Sequence, residues 1–153
     1  MATTTASDLL GEHELRAWRG LLKVHATLVK ALDAELVGAH GLALTSYEVL
    51  LHLEKAPEGR MRMHDLASSV LLSRSGLTRL VDRLERDALI RRKACDDDAR
   101  GAYAVITEDG RRRLAAARRT HLAGVRRHFL EQLDDGELER LAAVWDKFLA
   151  ADV

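Results

Sequence analysis

Apolar residues recur along this chain at two periods, and each change of period marks a new element. From Leu15, residues Trp18, Leu22, His25, Val29, Leu32 and Leu36 follow at alternating steps of three and four. That is one stripe of a long helix running from about residue 12 to about Gly38. Gly38 and Gly41 close it. A second helix is expected from Leu44, with Thr45 as its cap, Glu48 completing a capping box and Leu44 stapled to Val49, ending near Pro57 and Gly59. Arg60 to Met63 alternates charged and apolar residues, enough for one short strand, and His64 to Val70 turns Leu66, Ala67 and Val70 inward as a short helix. Ser73 is an N-cap, and the helix behind it runs to about Ala88 with Leu77, Leu80, Val81 and Leu84 inward. Leu89–Ala94 and Ala102–Ile106 read as strands, and the polar link from Cys95 to Gly101 makes them a hairpin. Thr107 caps a long helix, with Glu108 and Asp109 placed to favour its N-terminal dipole, ending by Leu133. A last helix starts at Asp134 and shows Leu138, Leu141, Trp145 and Phe148 at the same three-four step.

Composition narrows the class. A chain of 153 residues, 47% apolar and 31% charged, suits one globular domain, and its single proline and four phenylalanines and tyrosines point to a mostly helical one. No apolar run approaches the roughly 18 residues needed to span a bilayer, and Met1 to Ser7 lacks the pattern of a secretory signal. One cysteine excludes an internal disulfide and fits a reducing cytoplasm, the expected location. The net charge is zero, yet residues 60–119 hold 15 Lys/Arg against 9 Asp/Glu while the rest holds 9 against 15. A basic middle between acidic ends fits a chain whose centre faces a polyanion; it also fits an unevenly charged, solvated surface.

The order of the middle elements is short strand, helix, tight connection, helix, hairpin, which is the order of a winged helix-turn-helix. The second helix turns Arg74, Ser75, Thr78, Arg79, Asp82, Arg83 and Arg86 outward. Arg74 and Arg79 have the reach for bidentate pairing with guanine, and Ser75 and Thr78 suit phosphates or a thymine methyl. Arginines alone also describe an ordinary solvated face. The hairpin behind them, with Arg91, Arg92 and Lys93 on its first strand and Arg100 near its tip, favours the DNA reading. An arginine entering the narrow minor groove meets enhanced negative potential, and a carboxylate two residues earlier, Asp98, is spaced to hold it ready.

The stretch Leu72-Ser-Arg-Ser-Gly-Leu-Thr-Arg-Leu-Val-Asp-Arg-Leu84, followed by Asp98-Ala-Arg-Gly-Ala-Tyr-Ala-Val-Ile-Thr-Glu-Asp-Gly110, resembles the MarR family of bacterial transcription regulators. The order of elements agrees over roughly residues 12–150. The resemblance implies a mainly α fold with a small β-wing: one domain over 1–153, dimerisation helices at about 12–38 and 108–150, and a winged helix-turn-helix at about 44–107. It further implies a homodimer over a pseudo-palindromic duplex, with Ser73 to Arg79 in the major groove and Asp98 positioning Arg100 for the minor groove. The terminal stripes agree, since Trp18, Trp145 and Phe148 exceed what the winged part needs to cover.

The usual effector in this family is a small, often anionic aromatic molecule that releases a repressor. Trp18, His25, His52 and Asp65 are residue types that would line its pocket, although Trp18 also suits core packing. Cys95 at the start of the wing offers an alternative redox switch, but no second cysteine in the chain stands ready to resolve a sulfenic acid. The seven histidines include no i, i+4 pair, so no metal or other cofactor is expected. No glycine-rich phosphate loop or G-x-S-x-G occurs, and an enzyme is not expected. The remaining alternative is a helical adaptor that does not bind DNA and whose basic middle meets an acidic protein.

Overall fold

A computed structural model describes residues 9–70, 72–96 and 101–150, apart from the side chain of Arg74. Helix α1 (Glu12–His40) runs two residues past its expected end, and Gly41 stops it. Gly41 sits in the left-handed region at φ 60° and donates its N–H to Val37 O at 2.9 Å. That conformation costs glycine nothing, which is why the helix ends there.

The cap expected at Thr45 is absent. Helix α2 (Leu44–Lys55) takes its N-cap two residues earlier, at Ala43, and Asp33 on α1 accepts the Leu44 N–H at 2.8 Å. A distant carboxylate supplies what Thr45 was expected to supply, which leaves Thr45 exposed in the first turn. A 3₁₀ turn at Pro57–Gly59 leads into β1 (Arg60–Arg62), then α3 (Met63–Ser69) and α4 (Arg74–Arg86). Strands β2 (Ile90–Ala94) and β3 (Ala102–Ile106) form the hairpin, and β1 pairs antiparallel on the far side of β3, giving the order β1-β3-β2. Helix α5 (Glu108–His128) is shorter than expected and ends in a 3₁₀ turn at Leu130–Gln132; α6 (Asp135–Leu149) follows, with Asp134 and Glu137 forming a reciprocal capping box.

The core lies where α2, α3, α4 and the sheet meet. Val49, Leu50 and Leu53 of α2, Leu66 of α3, Leu77, Val81 and Leu84 of α4, and Ile90 and Ala104 of the sheet are all fully buried or nearly so. Truncating one such leucine to alanine costs about 2–5 kcal/mol, so the position of α4 is firmly set by its inward face. Leu36 of α1 and Leu114 and Ala117 of α5 extend the same cluster. Polar pairs fasten α5 to α1: Glu35 accepts from His128 Nε2 at 2.6 Å and from Arg127 at 2.8 Å, and His40 Nε2 stands 2.7 Å from Thr120 Oγ1. The Arg127 and His128 contacts hold the Glu35 carboxyl below its usual range. His121 lies against Tyr47 with ring centroids 4.6 Å apart, and its buried Nδ1 has no hydrogen-bond partner among the described residues.

The terminal helices are less covered. Trp18 is 55% exposed and Phe148 66%, and α6 contains no buried residue. Most of the stripe that predicted α1 therefore faces outward; only Leu36 is buried in the core, with Leu32 packed partly against it.

Candidate nucleic-acid interface

Helix α4 is built to present its polar face. Ser73 caps it by accepting the Gly76 N–H at 3.1 Å, and its hydroxyl lies 3.3 Å from that of Ser75. With four apolar side chains committed to the core, Ser75, Thr78, Arg79, Asp82, Arg83 and Arg86 are left exposed. Arg79 and Arg83 line a shallow groove with Gly76 and Asp82, and neither has an ion-pair partner among the described residues. The backbone places Arg74 in the first turn of the helix, beside Ser75.

The helix ends on an unusual residue. Leu89 N–H reaches back to Leu84 O at 2.9 Å in a Schellman closure, and Ala88 takes the left-handed position at φ 60° that glycine usually fills. The Ala88 carbonyl is held by the Thr107 hydroxyl at 2.6 Å, and the same hydroxyl accepts the Gly110 N–H at 3.0 Å as the cap of α5. Gly110 packs directly under Leu89: an added Cβ would overlap the Leu89 carbonyl and come within 2.9 Å of Ile106 Cγ1. The end of α4, the start of the hairpin and the head of α5 are thus joined at one point.

The hairpin closes at its outer end where Cys95 donates its N–H to Gly101 O at 3.1 Å. Cys95 is buried at the base of the tip, 6% exposed. Asp98 and Arg100 lie outside the described residues. The three cations of β2 divide by the pleat. Arg92 faces α4, where its guanidinium bonds Asp82 and, at 3.0 Å, Glu85, while Glu85 also accepts the Arg92 backbone N–H at 2.8 Å. The bond to Asp82 holds the guanidinium further above its ordinary, already high value. Arg91 and Lys93 face the other way. Sequence reasoning grouped all three as one basic strand and missed that Arg92 is a tie between hairpin and helix. Asp82 and Glu85, three apart on one face of α4, were the available signal.

The four residues expected at an effector pocket do not lie together. His52 and Asp65 line one cleft of about 480 Å³ beside β1, with Lys55, Arg60, Arg62 and Tyr103. Trp18 and His25 sit on exposed positions of α1, outside that cleft.

Comparison with known proteins agrees with this geometry. A sequence profile of the MarR family matches residues 40–101. The structure is similar to that of AbsC, a MarR family transcriptional regulator from Streptomyces coelicolor, at 34% identity and a TM-score of 0.84 over 93% of this chain and 95% of that one. It is similar also to Sco3205, a MarR family regulator from the same organism in complex with DNA, at 29% identity and a TM-score of 0.85 over 92% and 88% of the two chains. The homoprotocatechuate degradative operon repressor of Escherichia coli is 27% identical over 115 residues, 75% of this chain and 76% of that protein. No helix among the described residues is long and apolar enough to cross a membrane.

Proposed function

The chain belongs to the MarR family of DNA-binding transcription regulators, and on that footing we propose that it acts as a homodimer on a pseudo-palindromic duplex, repressing transcription until a small effector releases it. In this reading Ser73, Arg74, Ser75, Thr78, Arg79 and Arg83 meet the major groove, and Asp98 holds Arg100 for the minor groove. The observation that carries it is the capped helix α4, whose free arginines Arg79 and Arg83 stand on a rigid, core-anchored scaffold beside a hairpin. Fixed donors of this kind suit base edges, whereas a solvated face needs no such anchoring.

The dimer reading rests on the uncovered apolar residues of the terminal helices, among them Trp18, Val144, Phe148 and Leu149. Exposed apolar side chains gathered on the terminal helices suit an interaction surface, and a second copy of the same helices is its natural cover. For the effector, a small anionic aromatic molecule remains the proposed class; the relative that represses a homoprotocatechuate degradative operon is consistent with aromatic chemistry.

Selection of bound sequences from a pool of genomic DNA tests the function. Recovery of a palindrome with half-sites about one helical turn apart supports it. Binding that shows no sequence preference would return the chain to the adaptor reading. On the recovered site, Arg100→Ala should weaken binding severely with the dimer intact, and Arg79→Ala should weaken recognition in the major groove.

A further inference from the structure

The pairing register places four cations on the outer face of the small sheet. Arg60 pairs with Val105 and Arg62 with Tyr103 across one ladder; Arg91 pairs with Val105 and Lys93 with Tyr103 across the other. Directly paired residues share a face, so Arg60, Arg62, Arg91 and Lys93 surround Tyr103 on one side of the sheet. Two observations confirm which side. The Arg60 and Arg62 guanidinium carbons stand 4.8 and 5.6 Å from the Tyr103 ring centroid, and Arg92, of opposite parity, bonds to α4 on the inner side. Lys55 extends the face along the cleft beside β1. Among the described residues, Glu58 is bonded to Arg60 at 2.6 Å and Asp65 stands on the cleft wall. Arg91 and Lys93 are exposed and have no ion-pair partner among the described residues.

We propose that this outer face is a second DNA-backbone contact, which grips the duplex flanking the operator beyond the point reached by the hairpin tip. The inference rests on the function proposed above and adds to it a surface outside the reading helix. Small-molecule pockets enclose their ligand, whereas the cleft beside β1 is open and does not include Arg91 and Lys93, which stand outside it along β2. Cations two apart on a strand stand about 7 Å from each other, and those on the two outer strands about 10 Å apart, a grid suited to an extended polyanion. The row of Arg62, Tyr103 and Lys93 is one residue from Ala94 and Ala102, the last pair before the tip. DNA that meets the tip and continues outward passes this row first. The Tyr103 ring beneath the two guanidinium groups holds them splayed at the surface, which lowers the entropy lost when phosphates bind.

The test compares two duplexes of the selected operator, one trimmed at the minor-groove contact and one carrying about one further helical turn on each side. The unaltered chain should bind the longer duplex several-fold more tightly. Its salt dependence should be steeper by about 3–4 in log–log slope if Arg91 and Lys93 of both protomers reach phosphates, at roughly 0.9 per contact. The double variant R91Q/K93Q should lose that flank-dependent gain while binding the trimmed duplex as before, and the charge-retaining R91K/K93R should keep it. Thermal melting of each variant confirms the fold. A flank gain that survives R91Q/K93Q, no gain in the unaltered chain, or equal losses on both duplexes would each overturn the inference. An acidic protein partner for the face would give the second of these results. Failure of the unaltered chain to prefer any duplex sequence would instead strike the proposed function itself, and this inference with it.

Discussion

Replacing Arg92 by methionine should destabilise the DNA-free protein. The guanidinium ties β2 to two carboxylates of α4, Asp82 and Glu85, with side chains 31%, 48% and 40% exposed for the arginine and the two acids. Partial exposure screens each pair to about 0.2–1 kcal/mol, so the two together are worth about 0.4–2 kcal/mol. Methionine keeps much of the apolar stem, so the loss reports the tie rather than packing. For a chain of this size that corresponds to a fall of about 1–8 °C in the melting midpoint, measured at fixed protomer concentration. DNA affinity should also fall, because Asp82 and Glu85 become uncompensated charges on the helix proposed to face phosphates. Asp82→Asn on the Arg92→Met background should restore part of it. A phosphate-contacting arginine behaves in the opposite way: its loss leaves the free protein's melting unchanged and reduces the salt slope by about 0.9. Melting like the unaltered chain, together with that reduced slope, would refute the assignment of Arg92 as a tie.

Gly110→Ala should cost about 3 kcal/mol by forcing the head of α5 off Leu89; a thermal melt within a degree of the parent would show that the joint yields easily. Ala88→Gly should stabilise by about 0.5–1 kcal/mol, since glycine takes the left-handed position without strain, and chemical denaturation reads the shift. Burial holds His121 below its ordinary value of 6.5, so the folded state resists its protonation. Stability is therefore expected to fall as pH drops below about 6.5 and to be insensitive to this group above it; His121→Leu should flatten that part of the melting profile, and an unchanged profile would remove His121 as its source. Cys95 should react with a thiol reagent far more slowly in the folded chain than in denaturant, because its side chain is buried at the wing base; equal rates would reopen the redox alternative.

The parts of the fold that were legible in the sequence are those set by local rules. Ser73 and Thr107 announce their helices because a hydroxyl before an apolar stripe satisfies an orphan N–H without outside help. The inward face of α4 follows from its period, and the hairpin from two short runs joined by a polar link that ends in glycine. What escaped depends on residues far apart in the chain. Asp33 caps α2 across the turn from α1, so the local signal at Thr45 misled. Ala88 carries no mark of a left-handed residue; the surrounding bonds to Leu84 and Thr107 impose it. In the candidate site, the stripe holding Trp18 and His25 was readable as a helix face but not as an exposed one, since periodicity does not say what covers it. The division of Arg91, Arg92 and Lys93 between two faces was implicit in the strand's period of two, yet only the register against β3 and the acids of α4 give each cation a separate task.

The joint at Thr107 and Gly110 has a mechanical consequence. Helix α5 is 21 residues long, about 31 Å, and its first turn is clamped to the end of α4 and the root of the hairpin with no intervening linker. It is a lever whose fulcrum is the reader itself. A tilt of about 5° imposed on the helix by anything lodged near its far end moves that end by about 3 Å, and the clamp returns the same rotation to α4. In the proposed dimer, two such levers would convert a small change between the long helices into a change in the spacing of the two winged units. Half-site spacing on a duplex is fixed by the helical repeat, so a mismatch of a few ångströms is enough to lift one unit from its groove.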